Sequence, residues 1–189
     1  MSREKKTVIP ADATKVFEGV LFDVYQWQQQ RFDGTYATFE RLARPDTVQV
    51  LAVTEDGNIV LLNEEQPDRN PYLSLPGGRM EAGEDPREAC LRELKEETGY
   101  VPQTCVLWST VRPVSKMDWN VYTYIAKGCV KKSGQNLDAG EKISIREISP
   151  EAFLEIIFHP EFSAFEVTQI LAQLLAEGKR DEALMLISK

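Results

Sequence analysis

Four of the six glutamates between Gly78 and Tyr100, Glu84, Glu93, Glu96 and Glu97, fall close to Arg92 in the stretch GRMEAGEDPREACLRELKEETGY. Glu93, Glu96 and Glu97 are spaced by three and four residues, so on a helix they are neighbours on one side. Like charges in such a patch repel unless something positive meets them. Carboxylate oxygens are ligands for hard divalent cations, and Mg²⁺ bound this way keeps sites for water and substrate phosphates. Glu84, just ahead of the helix, adds a fourth carboxylate. Arg92 sits beside the patch and can orient a carboxylate through charge-assisted hydrogen bonds. Gly77-Gly78 lets the backbone come close to a ligand or metal with no Cβ in the way. The competing reading of the same residues is an acidic helix face turned to solvent.

The element that must hold these groups is a short capped helix. Asp85 is placed to cap it, with Pro86 at the first helical position and Glu88 three residues after the cap. Gly99 suits the left-handed residue that ends a helix. Between the caps, Cys90, Leu91, Leu94 and Thr98 share the side expected to be buried.

Around this helix the sequence predicts mostly strands. Thr14 to Gln30 reads as a strand, Asp33-Gly34 as a hairpin turn, and Tyr36 to Leu42 as the returning strand. The aromatic residues Phe22, Tyr25, Trp27 and Phe39 of this region suit core, partner interface or base stacking. Residues 1–13 are polar and expected to be loosely held. Val48–Val53 and Ile59–Leu62 are apolar runs joined by a turn at Glu55-Asp56-Gly57, and Gln66 to Pro71 reads as a loop leading to Tyr72–Leu75. After the helix, Thr104–Val111 and Val121–Ala126 read as strands joined by a polar loop, Arg112 to Trp119. A hydrophilic loop from Lys131 to Gly140 precedes a last strand, Ile143–Ile148. Helices are expected from Ser149 to Phe158, Ala164 to Glu177 and Asp181 to Ile187. His159 reads as a charge at a helix C-terminus.

With 189 residues, 42% of them hydrophobic, the chain suits one domain plus an extension. A net charge of −8 argues against a general nucleic-acid or anionic-membrane binder. Cys90, Cys105 and Cys129 fit reduced buried thiols of a cytoplasmic protein better than a disulfide framework or zinc site. The start, MSREKKTVIP, lacks the apolar core of a signal peptide, and no run approaches a membrane span. The sequence contains no GxSxG, P-loop or CxxC motif.

The spacing of Gly78, Glu84, Arg92-Glu93-Leu94, Glu96-Glu97 and Gly99 resembles the Nudix box, with Tyr100 standing where the family prefers an aliphatic residue. The resemblance implies an α/β/α sandwich with a mixed sheet, formed by residues 46–189, and hydrolysis of a nucleoside diphosphate linked to another moiety. It implies Mg²⁺, or Mn²⁺ in its place, ligated by Glu93 and Glu97, with Glu96 shared between ions or held one layer back. The carbonyl of Gly77 matches a backbone ligand, and Glu84 binds metal through water or supports the helix.

Within the family the chain is most similar to the ADP-ribose pyrophosphatase and nucleotide-sugar branch. There a glutamate outside the box acts as general base, and Glu141 in Asp138-Ala139-Gly140-Glu141-Lys142-Ile143 matches it; a surface glutamate in a charged loop is the alternative. The branch also carries an N-terminal antiparallel extension that serves as a homodimer arm, matched by residues 1–45. Phe39 and Arg44 match substrate contacts, although Arg44 reads equally as a surface ion pair. Trp119 reads either as a stacking platform for a base or sugar or as core. The chain departs from the branch in having Gln66-Pro67-Asp68 in place of Gln-x-Arg, for which Arg69 or Arg79 can substitute. It also has Lys116 in place of a marker proline. A housecleaning or dinucleoside-polyphosphate hydrolase, and a non-catalytic Nudix-fold binding module, are the alternatives.

Overall fold

The computed structural model describes residues 8–67, 69–137 and 139–189; Asp68, Asp138 and residues 1–7 of the expected polar N-terminus lie outside the described residues. In chain order the first strands are β1 (Thr14–Glu18), β2 (Asp23–Gln30), β3 (Tyr36–Ala43), β4 (Thr47–Thr54) and β5 (Ile59–Gln66). Then come β6 (Arg69–Ser74), β7 (Gly77–Arg79), α1 (Pro86–Thr98), β8 (Tyr100–Val101) and β9 (Thr104–Val111). The chain continues with β10 (Met117–Asp118), β11 (Val121–Lys131), β12 (Lys142–Ile148), α2 (Pro150–Ile156), α3 (Phe165–Ala176) and α4 (Arg180–Ile187). The chain forms two compact units. One is Thr47–Thr110 with Tyr122–Lys189; the other comprises the described residues up to Asp46 with Val111–Val121.

The larger unit is built on strand alternation. Successive side chains of β4 point to opposite faces. Leu51 and Val53 join Ile59 and Leu61 against Phe153 and Leu154 of α2, Val167 and Leu171 of α3, and Ala183 and Ile187 of α4. Val48, Val50 and Ala52 join Val60 against Ala89, Cys90 and Leu94 of α1. The sheet therefore has α1 on one face and α2–α4 on the other, the mixed α/β/α arrangement expected. Its strand order is β12-β5-β4-β11-β8, with β6 on β5, β7 on β4 and β9 on β11. Cys90, Cys105 and Cys129 are free thiols, and all three are buried. No helix among the described residues is long and apolar enough to cross a membrane.

The smaller unit is a sheet of order β1-β2-β3-β10. The β2–β3 hairpin turns at Asp33-Gly34, where the Asp33 carboxylate accepts the Thr35 N–H at 3.0 Å. Three expectations need correction. The single strand from Thr14 to Gln30 is two antiparallel strands, because the chain reverses between Glu18 and Asp23. In place of a loop from Gln66 to Pro71, Gln66 ends β5 and Arg69–Pro71 begin β6, and the two strands pair through Gln66 and Arg69. The polar loop from Arg112 to Trp119 contains β10, which pairs parallel to β3 through Met117 and Leu42. This segment is fastened by Asp46, a buried carboxylate that accepts the Asn120 N–H at 2.9 Å.

Candidate active site

Helix α1 forms where its caps dictate. The Asp85 carboxylate accepts the N–H groups of Arg87 and Glu88 at 2.8 and 3.4 Å, satisfying two orphan donors of the first turn. At the other end Gly99 is left-handed, with φ 74°, and its N–H closes on the Lys95 carbonyl at 2.8 Å. Ala89, Cys90, Leu94 and Thr98 are buried, and Leu91 is half-buried. Tyr100 joins the α1-side core, while its hydroxyl donates to Glu147 at 2.5 Å.

The charged side divides into two environments. Arg92 gathers three carboxylates. Its Nε and Nη2 donate to the two oxygens of Glu84 at 2.9 and 3.0 Å. Its Nη1 donates to Glu93 at 2.8 Å and Glu96 at 3.1 Å, and Nη2 also reaches the Arg79 carbonyl at 3.1 Å. A guanidinium has five N–H donors, and these five contacts match that number. The pairing holds the Glu84 carboxyl below its ordinary range and raises the guanidinium further.

Glu97 is different. Helical periodicity groups it with Glu93 and Glu96, yet it is only 4% exposed. Its carboxylate accepts the Gly77 N–H at 2.7 Å. Burial pushes this carboxyl up to about 9, against the Gly77 bond and with help from the charges of Glu64, Glu93 and Glu141. Glu93 is raised in the same direction, chiefly by burial and partly offset by Arg92. Both glycines ahead of the helix are tight. A Cβ at Gly77 would collide with the Val48 carbonyl, and one at Gly78 would lie 2.6 Å from Glu93 Oε1.

One member of this cluster, Glu64, was not singled out from the sequence. Glu64 on β5 accepts the Tyr72 hydroxyl at 2.5 Å and also the Ser74 hydroxyl. Period-two alternation could have found it, since Glu64 follows Val60 and Leu62 on one face of β5. The polar run Asn63-Glu64-Glu65-Gln66 obscures that signal.

The expected ligands and the expected general base therefore lie near one another in the larger unit: Gly77 bonded through its N–H to Glu97, Glu84, Glu93 and Glu96 on Arg92, and Glu141 within electrostatic reach of Glu93 and Glu97. Among the described residues, no three acidic, histidine or cysteine side chains converge at metal-ligand spacing. The donor chemistry nevertheless fits a hard divalent cation. All the expected donors are oxygens, the Gly77 carbonyl and the glutamate carboxylates, and the backbone approaches Glu93 where any side chain at position 78 would intrude.

Other expected contacts lie elsewhere. Arg79 is on β7 with its side chain exposed. Arg69 places its guanidinium 3.3 Å from the centre of the Tyr72 ring. Phe39, Arg44, Lys116 and Trp119 belong to the smaller unit. There the Arg44 guanidinium lies 4.7 Å from the Trp119 ring centre and 5.8 Å from that of Phe22, within cation–π reach of both. Phe39 lines a cavity of about 450 Å³ with Lys116, whose ammonium is 5.8 Å from the Phe39 ring. His159 is exposed, and its Nδ1 accepts the Glu161 N–H at 3.3 Å.

The chain is similar to several known proteins. The chain is 28% identical over 159 residues to an ADP-ribose pyrophosphatase of Bacillus subtilis (strain 168), spanning 82% of this chain and 84% of that one. It is 31% identical over 157 residues to a methanol dehydrogenase activator of Bacillus methanolicus, spanning 82% and 83%. Its fold resembles the crystal structure of an ADP compounds hydrolase, with a TM-score of 0.70 at 20% identity over 89% of this chain and 95% of the other. Residues 43–167, which include α1 and its glutamates, match the NUDIX domain, and the chain belongs to the Nudix family.

Proposed function

We propose that the chain is a divalent-cation-dependent pyrophosphohydrolase acting on a nucleoside diphosphate linked to another moiety, of the ADP-ribose or nucleotide-sugar type. Water adds across the P–O–P bond, giving a nucleoside monophosphate and a phosphorylated partner. The observation that carries the reading is the contrast within α1. Arg92 pairs with Glu84, Glu93 and Glu96, whereas Glu97 has no such partner and is buried against a backbone N–H and near the charges of Glu64, Glu93 and Glu141. A buried carboxylate surrounded by like charges is a place for a cation.

Glu97 and Glu93 would hold Mg²⁺, or Mn²⁺ in its place, with the Gly77 backbone and with Glu96 shared or behind them. When bound, the cation supplies charge neutralisation at the diphosphate and a more acidic water. Glu141 takes the proton from the attacking water. Glu84 and Arg92 hold the helix face in shape. Phe39, Arg44, Arg79 and Trp119 are assigned to the substrate, where an arginine suits phosphate through bidentate bonds. Residues 1–45 are assigned to a homodimer arm. Val16 and Phe17 of β1 and Val20 beyond it are 50%, 58% and 103% exposed, an apolar surface that pairing would cover.

The test is product release from a panel of diphosphate-linked nucleotides, including ADP-ribose, nucleotide sugars and dinucleoside polyphosphates, with Mg²⁺ or Mn²⁺. Turnover of ADP-ribose or a nucleotide sugar by the natural sequence, lost in Glu97→Gln, supports the assignment. Binding without turnover under either metal would make the chain a Nudix-fold binding module instead.

A further inference from the structure

The first part of the polar segment between β11 and β12, Lys132 to Asn136, packs against the C-terminal end of α1. The N–H groups of Lys132 and Ser133 donate to the Gly99 carbonyl at 2.8 and 3.3 Å, and that of Asn136 donates to the Glu96 carbonyl at 2.7 Å. Carbonyls of a last helical turn lack partners within the helix, so these bonds anchor the segment there. Gln135 makes a bond of another kind. Its side-chain Nε2 donates to the Glu97 carbonyl at 2.7 Å and to the Ile143 carbonyl at 3.2 Å. One amide thus ties the last turn of α1 to the start of β12, and Glu141 lies in the chain between Gln135 and Ile143.

We propose that Gln135 is a positioning residue for Glu141. The bridge fixes the stem of the loop so that Glu141 stays within electrostatic reach of Glu93 and Glu97. Ala139, Gly140, Glu141 and Lys142 are all exposed, so burial does little to hold them and a hydrogen-bonded bridge matters more. The chemistry selects Gln. Both acceptors are carbonyls, so the bridging atom must offer two hydrogens, which a primary amide does and a carboxylate does not. Asn carries the same amide one methylene shorter. Gln135 itself is exposed, so its replacement leaves the core intact.

The inference rests on the proposed role of Glu141 as general base, and the test separates the two. Gln135→Met keeps the length and removes the donors. Its kcat is expected to fall about ten-fold, part of what a general base contributes, with KM changed by less than about two-fold. In a Glu141→Gln background the same substitution should cost nothing further, because the bridge acts through Glu141. An equal loss in both backgrounds, or no loss in either, overturns the proposal. Should the natural sequence hydrolyse nothing in the panel, the general-base reading fails by itself. Amide hydrogen exchange then decides the bridge: faster exchange from Glu141 to Ile143 in Gln135→Met, with α1 unchanged, supports it, and identical exchange overturns it.

Discussion

Replacing Glu97 by Gln tests how the site stores charge. The amide keeps the shape and an oxygen to accept the Gly77 N–H, and removes the ionisable group. In the folded protein the Glu97 carboxyl is raised from an ordinary 4.5 to about 9, with burial the largest cause. A raised carboxyl holds a proton in the fold that the unfolded chain releases. Below pH 4.5 both states are protonated and the group costs nothing. Between 4.5 and about 9 unfolding releases the proton, so stability falls as pH rises, by about 1.4 kcal/mol per pH unit. At pH 7, about 2.5 pH units into that window, the penalty is about 3 kcal/mol. Gln carries no such penalty. In chelator at pH 7, Glu97→Gln should therefore melt about 6–12 °C above the natural sequence. The difference should shrink toward zero near pH 4.5. Thermal melts across pH in EDTA make the measurement, and titration of both proteins with Mg²⁺ completes it. The cation favours the ionised carboxylate, so it should raise the natural protein's Tm and leave the variant's nearly unchanged. A difference that is flat across pH, or a natural protein more stable than the variant at pH 7, refutes the reasoning.

Arg92→Ala leaves Glu84, Glu93 and Glu96 facing one another without their cation and should cost about 2 kcal/mol in urea denaturation. Arg92→Lys should recover little, because a point charge cannot reproduce the two-pronged contact with Glu84; full recovery would show that charge alone suffices. Gly78→Ala places a methyl against the Glu93 carboxylate, a flexible end that can turn aside, so Mn²⁺ affinity should drop about ten-fold by calorimetry with little change in Tm. Unchanged affinity would remove Glu93 from the cation's surroundings. Chelation with EDTA should abolish turnover, and Mg²⁺ should restore it; turnover that persists would remove the cation from the mechanism.

Short-range chemistry was the most legible part of the chain. The caps of α1 are decided by Asp85, Pro86 and Gly99 within a few residues of the ends they serve, and the hairpins at Asp33-Gly34 and Glu55-Asp56-Gly57 by local turn preference. The apolar runs Val48–Val53 and Ile59–Leu62 likewise marked β4 and β5. What escaped depends on distant partners. A helical wheel puts Glu97 beside Glu93 and Glu96, but its burial follows from the approach of Gly77, twenty residues earlier in the chain. Gln135 was invisible because its partners are backbone carbonyls, which every residue has. The two-residue strand β10 is set by its pairing with β3, not by propensity, and no window that short carries a strand signal.

The saturation of Arg92 bears on how an acidic protein can take a polyanionic substrate. With its five donors committed to Glu84, Glu93, Glu96 and the Arg79 carbonyl, this guanidinium has no hydrogen left for a phosphate oxygen. Its charge is already balanced by three carboxylates, so it contributes little attraction at a distance. Arg92 therefore works on the protein, holding Glu93 and Glu96 in place, and not on the substrate. In the proposed reaction, charge for the diphosphate must come from elsewhere. The one buried carboxylate of α1 left unpaired with Arg92 is Glu97, and a cation drawn there by Glu97 and Glu93 would bring that charge to the substrate. In the proposed reaction Arg92 shapes the site and the cation brings the charge that the reacting diphosphate needs, which is why the proposed activity and the metal stand or fall together.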